Sequence, residues 1–159
     1  MRALVLALMI LAGPALAAGL TEAQVRVFVA AQSRAWNAGD LTAYFATFTP
    51  EARFTDQALG NDNKVVPYGV SSLAQARAQT RKVMAKSKLR ETATVTSVSL
   101  APGGRGARVS ASTVSEIATG GAVRRVCALR IETLIVTPAG LKASGQTDTI
   151  VRCRARPIG

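Results

Sequence analysis

The chain contains no histidine and only two cysteines. Without histidine there is no Ser-His-Asp or Cys-His catalytic unit. The commonest zinc and iron ligand is missing too, so a metal site would have to be built from carboxylates alone. Cys127 and Cys153 are too far apart for a CxxC redox pair. Acids are scarce: 9 Asp and Glu stand against 20 Lys and Arg, for a net charge of +11. Aromatics are few, with four Phe, two Tyr and one Trp. None is interleaved with the basic groups, as a single-strand nucleic-acid groove would need. Beyond the first residues no apolar run is long enough to cross a bilayer. No repeat or low-complexity tract is present. Pro102-Gly103-Gly104-Arg105-Gly106 lacks the Lys-Ser/Thr and the helix of a phosphate loop.

What is present begins with an export leader. Arg2 is followed by an apolar run over residues 3–12, a Gly13-Pro14 break and the small-x-small signal Ala15-Leu16-Ala17. Residues 1–17 are expected to be removed as a signal peptide, leaving one domain over 18–159 and a periplasmic or secreted protein. About 140 residues support a single core. The basic balance favours an anionic surface or partner. The densest groups are Arg77, Arg81, Lys82, Lys86, Lys88 and Arg90, and the tail Arg152, Arg154 and Arg156. Nucleic acid is an unlikely partner at that address.

Thr21 and Gln24 form a capping box ahead of a helix whose buried stripe is Val25, Phe28, Val29, Gln32 and Trp36, with Leu20 as a staple. Gly39 suits the left-handed residue after its end. Asp40 caps a second helix with Leu41, Tyr44, Phe45 and Phe48 on its apolar face. Arg53 to Gln57 reads as a short strand. Turn formers over 58–70 predict a loop. Ser72 and Gln75 open a third helix, with Leu73, Ala76, Val83 and Met84 buried.

From Leu89 the chain turns rich in Thr, Val, Ser and Ile. Pro102-Gly103-Gly104, Gly120-Gly121 and Pro138-Ala139-Gly140 divide it into a four-stranded antiparallel meander. Helices first and a meander afterwards predict an α+β fold with helices on one face of the sheet. With Pro138 paired to Lys142, Cys127 falls opposite Cys153 and Glu132 opposite Asp148. A cross-strand disulfide follows from that register. Alternation puts Val123, Cys127, Leu129, Ile131 and Ile135 on the inner face, together with Thr133, Thr147 and Thr149. Glu132 and Asp148 go to the outer face.

The phrase from Trp36 to Asp56, helix end, Asn37-Ala38-Gly39-Asp40 cap, short helix and the strand Ala52-Arg53-Phe54-Thr55-Asp56, resembles the opening of the nuclear transport factor 2-like superfamily, which includes ketosteroid isomerase-like and SnoaL-like proteins. The resemblance implies three helices on a strongly curved antiparallel sheet, forming a cone with a cavity at its wide end. It places Asp56 at the general-base position. The tyrosine that would donate to an enolate falls on Gln32, an amide that can donate but lacks a phenol's acidity. The outer sheet face is the one that relatives use for dimers.

These readings converge on a pocket of Trp36, Tyr44, Phe48, Phe54, Tyr68, Thr133 and Thr147, apolar with a few hydroxyls. The leading expectation is a non-catalytic domain binding a small apolar ligand or a protein partner in the cavity, with no cofactor and no metal. One alternative is an isomerase, dehydratase or cyclase with Asp56 as base. Another is an interaction subunit acting through its outer sheet face, which would also be the face of a homodimer, and its basic surface.

Overall fold

The computed structural model describes residues 19–153. The expected leader, Arg154 and Arg156 lie outside them. Helix α1 (Glu22–Asn37) starts on the Thr21–Gln24 capping box. Its inward stripe includes Val25, Val29 and Gln32, all buried. Gly39, at φ 72°, turns the chain into the Asp40 cap of α2 (Leu41–Ala46). Strand β1 (Phe48–Leu59) follows at once, so Phe48 belongs to a strand and not to the second helix as expected.

The segment expected to be a loop is a hairpin. β1 runs on to Leu59 and pairs antiparallel with β2 (Val65–Ser72). The turn itself occupies residues 60–63, where Asn63 takes φ 60°, while the turn formers Pro67 and Gly69 lie within β2. Pairing with a neighbour supplies the hydrogen bonds that local propensity did not announce. Ser72 then caps α3 (Leu73–Met84) through a second capping box with Gln75. Ala76 is buried there, but Val83 is 46% exposed, outside the expected buried stripe.

The meander is present as β3 (Lys88–Leu100), β4 (Gly106–Thr119), β5 (Ala122–Thr137) and β6 (Gly140–Val151). The six strands form one sheet in the order β2-β1-β6-β5-β4-β3. All pairs are antiparallel except β1 with β6, which is parallel. The sheet is therefore mixed, not purely antiparallel. Chain order gave no hint of this pairing, because its partners are separated by almost the whole domain.

Register in the last hairpin differs from expectation by two residues. Thr137 pairs with Gly140 across a two-residue Pro138-Ala139 turn, and one irregularity at Thr133/Leu134 shifts the ladder. Cys127 thus pairs with Val151, and Arg130, not Glu132, sits opposite Asp148. Cys153 lies just past the end of β6 and closes the disulfide to Cys127, Cα to Cα 5.2 Å.

The expected faces are inverted along β5 and along β6 from Gly145 onward, whereas Ala143, before the irregularity, is fully buried and Leu141 packs on the core. Ala128, Glu132 and Leu134 are buried, whereas Leu129 is 51% and Ile135 37% exposed. Thr133, Thr147 and Thr149 go with the outer face. Strand parity is all or none, so choosing the wrong set sends every side chain to the other side. On β4, Val109 and Ala111 are buried. The core joins Val25 and Val29 of α1, Tyr44 and Phe45 of α2, Phe48, Ala52 and Phe54 of β1, Ala76 of α3, and Ala107, Val109, Leu134 and Ala143 of the sheet. Among the described residues no helix is long and apolar enough to cross a membrane.

Candidate functional site

Register aligns two rows of side chains across the helix-covered face. One row runs Asp56, Asp148, Arg130, Ala111 through β1, β6, β5 and β4. The next runs Phe54, Gln146, Glu132, Val109. A polar band therefore crosses an otherwise apolar core.

Arg130 is the hub of that band. Its Nε donates to Asp148 Oδ1 at 2.8 Å, and its Nη2 to Asp148 Oδ2 at 3.2 Å. Its Nη1 donates to Glu91 Oε1 at 2.7 Å, and its Nη2 to Glu91 Oε2 at 3.2 Å. The planar fork suits two carboxylates at once. Burial works against its charge, but Asp148 and Glu91 outweigh that and hold its proton more tightly than usual. Ser115 Oγ donates to Glu91 at 3.0 Å, and Gln146 Nε2 to Asp148 at 2.8 Å. Tyr44 Oη donates to Gln146 Oε1 at 3.1 Å. Burial raises the proton affinity of Tyr44, so it stays a neutral donor.

Glu132 is 4% exposed and accepts from Gln32 Nε2 at 3.1 Å. Burial pushes its pKa up to about 7, although Arg130 and the Gln32 hydrogen bond pull it down. Gln32 also donates to Thr47 Oγ1 at 3.0 Å. Gln32, Trp36, Tyr44, Arg130 and Glu132 enclose a void of only about 20 Å³, room for about one water. This inner end is filled.

The outer end is open. A cavity of about 170 Å³ lies between Trp36, Tyr44, Phe45 and Phe54 on one hand and Asp56, Arg130, Gln146 and Asp148 on the other. α3 and the end of β2 border it with Ala76, Gln79, Thr80 and Ser71. The rings form a continuous cluster: Trp36 and Tyr44 centroids are 4.7 Å apart, and Phe45 and Phe54 are 6.1 Å apart. Trp36 Nε1 is buried with no hydrogen-bond partner among the described residues.

Asp56 borders this cavity and has no hydrogen bond or ion pair with a described residue. Its proton affinity is raised, first by partial burial and then by neighbouring Asp148, with Arg130 acting in the opposite sense. Opposite it on β2 stands Gly69, where even a methyl group would come within 3.7 Å of Asp56 Oδ2. Tyr68 is 62% exposed and is not part of the cavity lining; burial, then Asp56 and Asp148, raise its proton affinity.

Of the residues expected in a pocket, Trp36, Tyr44, Phe54 and Asp56 meet at the open cavity. Phe48 packs beneath it, with its ring centroid 4.8 Å from that of Phe54. Tyr68 stays outside its lining. Thr133 and Thr147 do not take part, because they project from the far face of the sheet. Gln32 is committed to Glu132 and Thr47 at the inner end and borders a different space from Asp56. Glu91, Arg130, Glu132, Gln146 and Asp148 were not expected here. The signal for them was a pair of charged residues, Arg130 and Glu132, alternating in the middle of a long apolar strand. Leu129, Ile131 and Ile135 made a more hydrophobic set and drew the face assignment the wrong way. Among the described residues there is no group of three or more potential metal ligands.

No protein-family model matches the chain, and no curated protein matches its sequence. Solved structures do match. A ketosteroid isomerase-like protein from Erwinia carotovora atroseptica superposes with a TM-score of 0.65 at 13% identity, over 82% of this chain and 96% of that one. An NTF-2 like protein of unknown function from Shewanella oneidensis gives 0.59 at 12%, over 79% and 95%. The beta subunit of the benzoate 1,2-dioxygenase from Burkholderia mallei gives 0.61 at 10%, over 83% and 91%. At these identities the likeness is one of architecture, and the chain has the nuclear transport factor 2-like fold that its opening phrase resembles.

Proposed function

We propose that this domain binds one small molecule in the open cavity, with the aromatic cluster holding its apolar body and Asp56 anchoring a polar end. The observation that carries this is a half-buried carboxylate, with no hydrogen bond or ion pair to a described residue, beside four aromatic rings in a space of about 170 Å³. Such a lining, mostly apolar with a few converging polar groups, is the usual composition of a ligand site. The polar band supplies a rigid floor, because Arg130, Asp148, Gln146 and Tyr44 already satisfy one another. Trp36 Nε1 offers a further donor to an acceptor atom on the ligand. The binding role itself needs no catalytic step. The cystine suits an oxidising compartment, in keeping with an exported, periplasmic or secreted protein.

A fragment screen by protein-observed NMR tests the proposal. Ligands should shift resonances of Trp36, Phe54 and Asp56. Ala76→Phe, which fills the cavity from α3, should abolish those shifts. Binders that perturb only the outer sheet face, or that survive Ala76→Phe, would count against it.

A second reading is favoured by one observation. The raised proton affinity of Asp56 moves it toward the range of a useful general base. An enzyme of the isomerase, dehydratase or cyclase type would use it to take a proton from the bound molecule. Gln32 stands apart from that chemistry, so the oxyanion donor would come from another group. Asp56→Asn abolishes turnover on this reading and leaves it intact otherwise.

A further inference from the structure

The cavity carries charge opposite to that of the rest of the molecule. The chain has 20 Lys and Arg against 9 Asp and Glu. Yet the charged side chains that line the open cavity are Asp56 and Asp148 with the single guanidinium of Arg130, and Glu91 and Glu132 stand behind that guanidinium at the inner void. That guanidinium is already engaged by two carboxylates. An incoming anion would meet two acids and a cation whose Nε, Nη1 and Nη2 all already donate to carboxylates. Gln146 is also engaged, with one amide N–H on Asp148 and its oxygen accepting from Tyr44. Among the described residues, Asp56 is the cavity acid with no hydrogen bond or ion pair.

Resting on the reading of this cavity as a ligand site, we infer that its ligand is a small organic cation: a ring-sized apolar body bearing an ammonium group that pairs with Asp56. Three lines of physical argument converge on that class. A carboxylate drawn out of water gains most from a cation that pairs and hydrogen-bonds with it. Aromatic rings such as Trp36, Tyr44, Phe45 and Phe54 attract a cation through their quadrupoles, most strongly where water is thin. A cavity of about 150 Å³ is known to hold benzene, so about 170 Å³ accommodates one ring with a short ammonium-bearing arm. The basic exterior does not cancel this attraction. Interactions of exposed charges fall off over about 8 Å at physiological salt, so surface charges are largely damped while the partly buried acids are not.

The test uses three probes of one shape: benzylammonium, benzyl alcohol and benzoate, each titrated by calorimetry at pH 7 into the protein. Benzylammonium should bind roughly tenfold more tightly than the alcohol, a difference of about 1.4 kcal/mol, with benzoate the weakest. In Asp56→Asn, shown to be folded by its thermal transition, the ratio of amine to alcohol should fall to about one. In the surface control Glu51→Gln it should stay unchanged. A preference for benzoate or the alcohol, or an amine preference that survives Asp56→Asn, overturns the cation assignment and leaves the cavity as a site for another class. Failure of all three probes, with a broad fragment set also silent at Trp36 and Phe54, overturns the ligand site itself and the inference with it.

Discussion

Arg130 holds two carboxylates apart and neutralises both in part. Truncating it leaves Glu91, 9% exposed, and Asp148 facing each other with no cation between them. Arg130→Met should therefore destabilise the domain by about 3–5 kcal/mol in urea unfolding, the range for a broken buried pair. A loss below about 1 kcal/mol would mean that water reaches the pair freely. Glu132 makes the opposite kind of statement. Its pKa is about 7 when folded, against an ordinary 4.5. Between those values the folded chain binds one proton more than the unfolded chain. Stability from this group is complete below pH 4.5 and is lost as pH rises through 7, by on the order of 3 kcal/mol at most. Glu132→Gln keeps an oxygen for Gln32 to donate to and should flatten that decline in thermal scans from pH 5 to 8. Asp56 is a milder case of the same sign. Its charge has no ion-pair partner among the described residues, so Asp56→Asn should melt no lower than the parent at pH 7, and a clearly lower transition would show that Asp56 has a structural partner.

At the level of elements, the β5–β6 hairpin decides where the band falls. The turn at Pro138-Ala139 and the irregularity after Thr133 together place Arg130 beside Asp148, and the cystine locks that ladder at its far end. A bridge over a sequence separation of 26 is worth about 3–4 kcal/mol on the chain-entropy account. Reduction, or Cys127→Ala with Cys153→Ala, should lower the urea midpoint accordingly, and an unchanged midpoint would assign the bridge no role in stability. β4 approaches β5 very closely at one point: a Cβ on Gly106 would sit 2.5 Å from the Leu134 carbonyl oxygen. Helix starts and ends were legible because caps are local: Thr21, Asp40, Ser72 and Gly39 act within four residues of themselves. The meander was legible from its glycine-rich turns. β2 was not, since Val65, Val66, Tyr68 and Val70 stay largely exposed and show no buried alternation. The face of β5 was misjudged because hydrophobicity assigns a strand to the core by its greasier side. Here the greasier side, with Leu129 and Ile135, faces out, and a satisfied polar network takes the inside. Asp56 was legible from its place at the end of a motif; its unexpected neighbours depend on pairings remote in sequence.

For the molecule as a whole, the parallel union of β1 with β6 has a consequence for how the domain comes into being. Phe54 meets Gln146 and Asp56 meets Asp148, so the middle of the sheet is stitched from the two ends of the domain. Such distant pairings are slow to form because loop closure comes before any reward. The β1–β2 hairpin, with its helices, has no continuous sheet to join until the final strand arrives. A ribosome or an export channel releasing this chain from its amino end would hold an unfinished product until its last segment emerges. A fragment ending at Thr137 should consequently show no cooperative melting by circular dichroism, rather than a smaller, five-stranded version of the fold.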